Sequence, residues 1–148
     1  MSTLKDQLQS DVKAAMKSRD KRSLGALRLI MAELKRREVD ERIELQDQDI
    51  LVILEKMTKQ RRDSLTQYEA AGRSDLAEQE QFELDLIAAY MPEPIGEDEL
   101  AAMVEAAITT TGASAMADMG KVMAVLKSEV QGRADMGQVS RIVKASLS

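Results

Sequence analysis

The sequence contains no cysteine and no histidine. Without thiols there are no disulfides and no thiolate metal sites. Without imidazole the commonest general base and zinc ligand are gone, and with them every Ser-His-Asp or Cys-His arrangement. Tryptophan is also missing, and the only aromatics are Tyr68, Phe82 and Tyr90, so base stacking on an aromatic platform is not expected. No apolar run approaches the ~20 residues that cross a bilayer, and the start, Met1-Ser2-Thr3-Leu4-Lys5-Asp6, lacks the apolar region of a signal peptide. These absences lead to the expectation of a soluble, cytoplasmic chain with no membrane partner. Carboxylate pairs such as Asp47/Asp49 have no histidine or cysteine beside them, so no metal, cofactor or catalytic residue is assigned.

Proline is scarce and concentrated. Pro92 and Pro94 lie in Tyr90-Met91-Pro92-Glu93-Pro94-Ile95-Gly96, where they remove two backbone donors and push the preceding residues out of the helical region. The expected organisation is an N-terminal helical module over 1–91, a linker over 92–96 and a tail module over 97–148.

Strand signals are absent too, since neither β-branched alternation nor hairpin turn pairs occur. Helical periodicity fills the chain instead. Leu4, Leu8, Val12 and Met16 mark a first helix ending near Ser18-Arg19-Asp20. Leu24, Leu27, Ile30, Met31 and Leu34 mark a second, running into the charged stretch Lys35 to Glu44. Ile50, Ile53, Leu54, Met57, Leu65 and Tyr68 mark a third, with Asp47 as N-cap and Gly72 as stop. Asp75-Leu76-Ala77-Glu78 reads as a capping box ahead of Phe82, Leu86, Ile87 and Tyr90. After the prolines, Glu97-Asp98-Glu99 favours a helix start, and Leu100, Met103, Val104, Ala107 and Ile108 carry its apolar face to Gly112. The ten methionines fall mostly on apolar stripes, where they fill cores.

The tail repeats itself. Asp118-Met119-Gly120 and Asp135-Met136-Gly137 each open the same pattern, with Val122/Val139, Val125/Ile142, Leu126/Val143 and Val130/Leu147 in register at helical spacing. Asp118 and Asp135 are expected to cap two short helices, the second with Gln138 completing a capping box. Gly132 is expected to end the first of them in the left-handed conformation, and Gly120 or Gly137 would allow close backbone approach.

Formal charge is −5, which weighs against nucleic acid, but its distribution is uneven. Residues 1–37 hold ten Lys/Arg against four acids, and residues 38–49 hold six acids against Arg42. From Gly112 onward five cations, Lys121, Lys127, Arg133, Arg141 and Lys144, meet three acids. Aspartate caps at the helix starts would repel phosphate, so an anion is more naturally met by the basic side chains. Arg133 has no evident packing task, and Arg141 and Lys144, three apart, share a face away from Val139, Ile142 and Val143. Lys35-Arg36-Arg37 and Arg61-Arg62 are weaker candidates, because charged helix faces are usually solvated.

Asp118-Met119-Gly120-Lys121-Val122-Met123, Gly132-Arg133-Ala134-Asp135, Val139 and Val143-Lys144, together with Tyr90-Met91-Pro92 before an acidic helix start and Arg61-Arg62, resemble the signature of the GatB/YqeY family. The likeness covers essentially the whole chain for stand-alone YqeY-like proteins, and the segment from about Ile95 onward for the tail domain of the amidotransferase B subunit. It implies an all-α protein, an N-terminal multi-helix module followed by a C-terminal three-helix module. In the tRNA-dependent amidotransferase the similar tail contacts the outer body of the tRNA, and some glutaminyl-tRNA synthetases carry a similar appended module. The resemblance therefore implies an accessory tRNA-binding protein working beside an aminoacyl-tRNA synthetase or amidotransferase, with DNA not expected. Arg133, Arg141, Lys144, Lys121 and Lys127 would meet the RNA, and Asp118, Gly120, Gly132 and Asp135 would shape the tail. A helical protein–protein adaptor and a component of a glutamine-dependent carbon–nitrogen ligase stay open as alternatives. Autonomous ligase chemistry is not expected of a chain with no nucleotide-binding glycine loop, no cysteine nucleophile and no histidine.

Overall fold

A computed structural model describes residues 3–148, so Met1 and Ser2 lie outside the described residues. The chain is all-α: seven α-helices and one short 3-10 turn, with no strand among the described residues. It divides into two compact units, one ending at Met91 and the other running from Pro92 to Ser148.

The first unit holds α1 (Thr3–Ser18), α2 (Lys21–Glu41), α3 (Asp47–Ala70) and α4 (Ser74–Ala88). Leu8 of α1, Leu27, Ile30 and Leu34 of α2, Ile50, Leu54 and Met57 of α3, and Ile87 of α4 meet in one core, with Leu45 plugging it from the α2–α3 loop. The apolar periodicity becomes the buried face of these helices except at the end of α1, where Met16, expected on the stripe, is 53% exposed and Ala15 is buried instead. Asp20 caps α2 by accepting the Ser23 N–H at 3.1 Å, and the Ser23 side chain first, with that N–H second, holds its carboxyl below the usual range. Gly72, at φ 72°, ends α3 as expected; the next amide, Arg73 N–H, reaches back to the Tyr68 carbonyl at 2.9 Å.

Three local expectations are corrected. Gln46, not Asp47, occupies the N-cap of α3, and the Asp49 carboxylate returns to the Gln46 N–H at 2.9 Å. Asp47 lies in the first turn, where its Oδ1 accepts the Leu4 N–H of α1 at 3.1 Å, a partner remote in sequence. Asp75 does not form a capping box with Glu78. The helix starts at Ser74 with Arg73 at the N-cap, Asp75 receives two hydrogen bonds from the Arg73 guanidinium, and Glu78 pairs with Arg22 at 3.4 Å. Arg61 does not face solvent as a charged helix surface would: it is turned against Glu83 of α4, Nε to Oε2 3.4 Å, with the two side chains only 15% and 12% exposed. That separation marks an ion pair rather than a good hydrogen bond, and the Nε–H has no hydrogen-bond partner.

The second unit holds α5 (Glu97–Thr111), the 3-10 turn (Met116–Asp118), α6 (Met119–Val130) and α7 (Met136–Leu147). Leu100, Val104 and Ala107 of α5 pack with Val122, Leu126 and Val130 of α6 and Val139, Val143 and Leu147 of α7. The in-register residues of the two repeats therefore bury against one another and against α5, while Val125 and Ile142 flank that core half-buried. Gly112, at φ 69°, ends α5 as its position implies.

Candidate nucleic-acid interface

The segment joining α6 to α7 is a type II turn. Gln131 takes φ −55°, ψ 122°, Gly132 takes φ 77°, and the Arg133 N–H returns to the Val130 carbonyl at 2.8 Å. Gly132 is left-handed as expected, but as the third residue of this turn rather than as a helical cap. The turn is clamped to residues 92–96. Ile95 N–H donates to the Arg133 carbonyl at 2.9 Å, and the Arg133 Nε–H donates to the Glu93 carbonyl at 3.1 Å. The two prolines keep residues 92–96 out of a helix, and Arg133 takes up the Glu93 carbonyl and the Ile95 N–H that no helix uses. Arg133 thus has a structural task that sequence reasoning did not see, and its side chain is half-buried.

The repeated aspartates diverge. Asp135, with extended backbone, accepts the Gly137 N–H at 3.3 Å and caps α7. A Cβ added at Gly137 would sit 3.3 Å from the Asp135 carboxylate, so glycine leaves room for the cap. Asp118 sits at the N-cap of α6, but the preceding 3-10 turn gives it helical backbone, φ −89°, ψ −2°. Its carboxylate points backward and accepts the Ser114 N–H at 3.1 Å, the bond that holds it below the usual carboxylate range. The capping expectation is therefore corrected for Asp118. Gly120 is exposed, and a side chain there would meet only open space, so packing does not require glycine.

The cations sort by what they touch. Lys121 approaches Asp118 at 4.0 Å. Lys127 on α6 and Arg141 and Lys144 on α7 are exposed, and none forms an ion pair among the described residues. At 100° per residue Arg141 lies opposite Val139 and Val143 and Lys144 flanks that buried face, about 100° from Val143, whereas Lys121 and Lys127 are about 120° apart around α6 and do not share a face. Lys127 and Lys144 hold the same position in the two repeated helices.

The first unit carries another set. Arg36 pairs with Glu33 and Asp40, Arg37 with Glu41, and Lys5 with Glu38 at 2.7 Å. Lys21, Arg28 and Lys35 are exposed and enter no ion pair among the described residues. Their seven-residue spacing, plain in the sequence, is the signal that points to them. The aromatics serve the fold: Phe82 lies under the Arg22 guanidinium at 4.1 Å, and the Tyr90 hydroxyl donates to Asp11. Burial first, and then Asp11, push the Tyr90 hydroxyl well above its usual range. Among the described residues no cluster of acids is arranged to hold a metal ion, and no single helix is long and apolar enough to cross a membrane.

A family profile described as "Yqey-like protein" matches residues 5–147. The chain belongs to the YqeY-like family. Its relatives include a protein of Pyrenophora tritici-repentis named "Altered inheritance of mitochondria protein 41, mitochondrial", 31% identical over 140 residues that make up 93% of this chain and 77% of that one. A protein of the same name in Eremothecium gossypii is 37% identical over 102 residues, 67% of this chain and 56% of its own length. An uncharacterized protein of Schizosaccharomyces pombe is 30% identical over 79 residues, 53% of this chain and 64% of its own length. The first two names overturn the cytoplasmic expectation, since those relatives are named as mitochondrial proteins. Missing apolar segments bear on crossing a membrane, not on the compartment in which a protein works.

Proposed function

We propose that this YqeY-like chain is an accessory RNA-binding protein that holds tRNA by shape and phosphate charge beside a tRNA-charging or tRNA-amidating enzyme. The observation that carries the reading is the set Lys127, Arg141 and Lys144: three exposed cations on α6 and α7 with no carboxylate partner among the described residues. An unpaired cation keeps its full charge for a phosphate, whereas a paired one must first lose its partner. Arg133 serves first as the clamp on Glu93 and second as a phosphate contact, through the guanidinium nitrogens its Nε leaves over. Lys121, held beside Asp118, contributes least. With no aromatic in the second unit, recognition rests on the backbone of the RNA rather than on its bases. Any amide-transfer chemistry belongs to the partner enzyme, because this chain has neither cysteine nor histidine to supply a nucleophile or base.

The test is the triple variant Lys127→Ala, Arg141→Ala, Lys144→Ala. Its affinity should fall similarly for different tRNAs, the slope of log affinity against log salt should shrink by about 2–3, and thermal unfolding should barely move. Undiminished tRNA binding by the triple variant would dismiss the reading and leave the helical adaptor as the better one.

A further inference from the structure

The outer face of α2 is a second cationic surface. Lys21, Arg28 and Lys35 recur every seven residues, so they stand about 10 Å apart along the axis and drift only about 20° per step. They lie opposite Ala26, Leu27, Ile30 and Leu34, the residues that α2 buries. The four acids of α2 have their ion pairs off this row: Glu38 with Lys5 of α1, Glu41 with Arg37, and Glu33 and Asp40 sharing Arg36. Among the described residues, no acid of α2 pairs with a cation of the outer row.

Between the cations sit the smallest side chains of the helix, Gly25 and Ala32, both exposed. A Cβ added at Gly25 would meet no atom within 4 Å, so packing does not explain a glycine that costs a helix interior stability. A smooth backbone between cations lets an anionic chain approach closely. At either end of α2 stands an arginine in the left-handed conformation, Arg19 at φ 58° and Arg42 at φ 55°. Glycine would sit there with less strain, yet both positions carry charge. The continuous apolar face of α2 is already spent on the core, and the two large apolar residues it leaves exposed, Leu29 and Val39, are separated along the helix and form no stripe that could insert into a lipid surface.

From this arrangement we infer that the outer face of α2, from Arg19 to Arg42, is a docking surface for a nucleic-acid phosphate backbone, separate from the cations of the second unit. Its span of 21 helical residues gives a rigid line of about 30 Å, long enough to follow several phosphates.

The experiment uses the full chain, folded tRNA, duplex DNA of similar length and anionic phospholipid vesicles. Lys21→Ala/Arg28→Ala/Lys35→Ala should weaken nucleic-acid binding at least tenfold at ~0.1 M salt and reduce the salt slope by about 2–3. Arg19→Gly/Arg42→Gly relieves strain while removing charge, so it should hold or raise the unfolding temperature and still weaken binding. That combination is one a merely structural role does not produce. Loss on tRNA alone assigns the surface to RNA, and equal loss on duplex DNA assigns it to the phosphate backbone of either. The proposal is overturned if both variants bind as wild type, or if they lose only vesicle binding. It is also overturned if the Lys127/Arg141/Lys144 variant alone abolishes binding while the α2 variants do not. Loss in the α2 variants with the tail variant intact would support this surface and refute the tail site.

Discussion

Arg133 makes a separable prediction, because its backbone and side chain do different work from its charge. In Arg133→Ala the hydrogen bond from Nε to the Glu93 carbonyl is lost, while the one from Ile95 N–H to the residue 133 carbonyl can still form. A charged donor on a carbonyl is worth about 1.5–3 kcal/mol when shielded; this bond is exposed, so about 1 kcal/mol is the appropriate figure. The loss falls on the strap over 92–96, whose prolines allow no helix to take over. Hydrogen exchange at the Ile95 amide reads it directly: 1 kcal/mol of easier opening corresponds to a roughly fivefold loss of protection. Arg133→Lys keeps a charge for phosphate but cannot hold Glu93 through Nε while presenting further nitrogens to RNA. It should lose protection at Ile95 and retain most of the salt dependence of tRNA binding. Ile95 protection unchanged in Arg133→Ala would mean that the guanidinium does not hold the strap.

Further outcomes follow from the same contacts. Arg61→Met strands the mostly buried Glu83 and should cost about 3 kcal/mol in urea unfolding, whereas Arg61→Met/Glu83→Leu should recover most of it; equal losses would deny the pair its role. Burial, and then Glu83, raise the Glu80 carboxyl above its usual value, with Arg61 opposing, so the folded state holds that proton more tightly than the unfolded. Stability from this site is present below the ordinary value of about 4.5 and is lost as pH rises through the folded one. Glu80→Gln should therefore stabilise at pH 7 and lose its advantage in acid, and a variant gaining more at low pH than at neutral pH would reverse the sign. Asp135→Ala should cost about 0.5–2 kcal/mol through the lost cap, with Asp135→Asn nearly neutral; if both are equally unstable in thermal unfolding, charge rather than capping matters.

What the sequence revealed and what it hid divide along contact range. The in-register repeats, the left-handed glycines at 72, 112 and 132 and the buried faces depend on neighbours three to eight residues away, so periodicity and turn chemistry announce them. Three of the misread residues answer to distant partners. Asp47 leaves its expected cap role for the Leu4 amide, Arg61 turns inward to Glu83 on the next helix, and Arg133 reaches Glu93 across 40 residues. Asp118 is a different failure: its tripeptide matches that of Asp135, but the 3-10 turn before it changes the backbone and sends the carboxylate to Ser114. Of the proposed interface, the charge of Lys127, Arg141 and Lys144 was legible. Their freedom from partners was not, because ion pairing is decided by the fold.

The central claim is that tRNA is held by unpaired cations through its phosphates, and the most direct test is the affinity of the unmodified chain for folded tRNA over a series of salt concentrations. Three phosphate contacts from the second unit alone require log affinity to fall against log salt with a slope of about −2 to −3, steeper if α2 takes part. Binding no better than that of an unrelated acidic protein at ~0.1 M salt, or an affinity indifferent to salt, would contradict the claim.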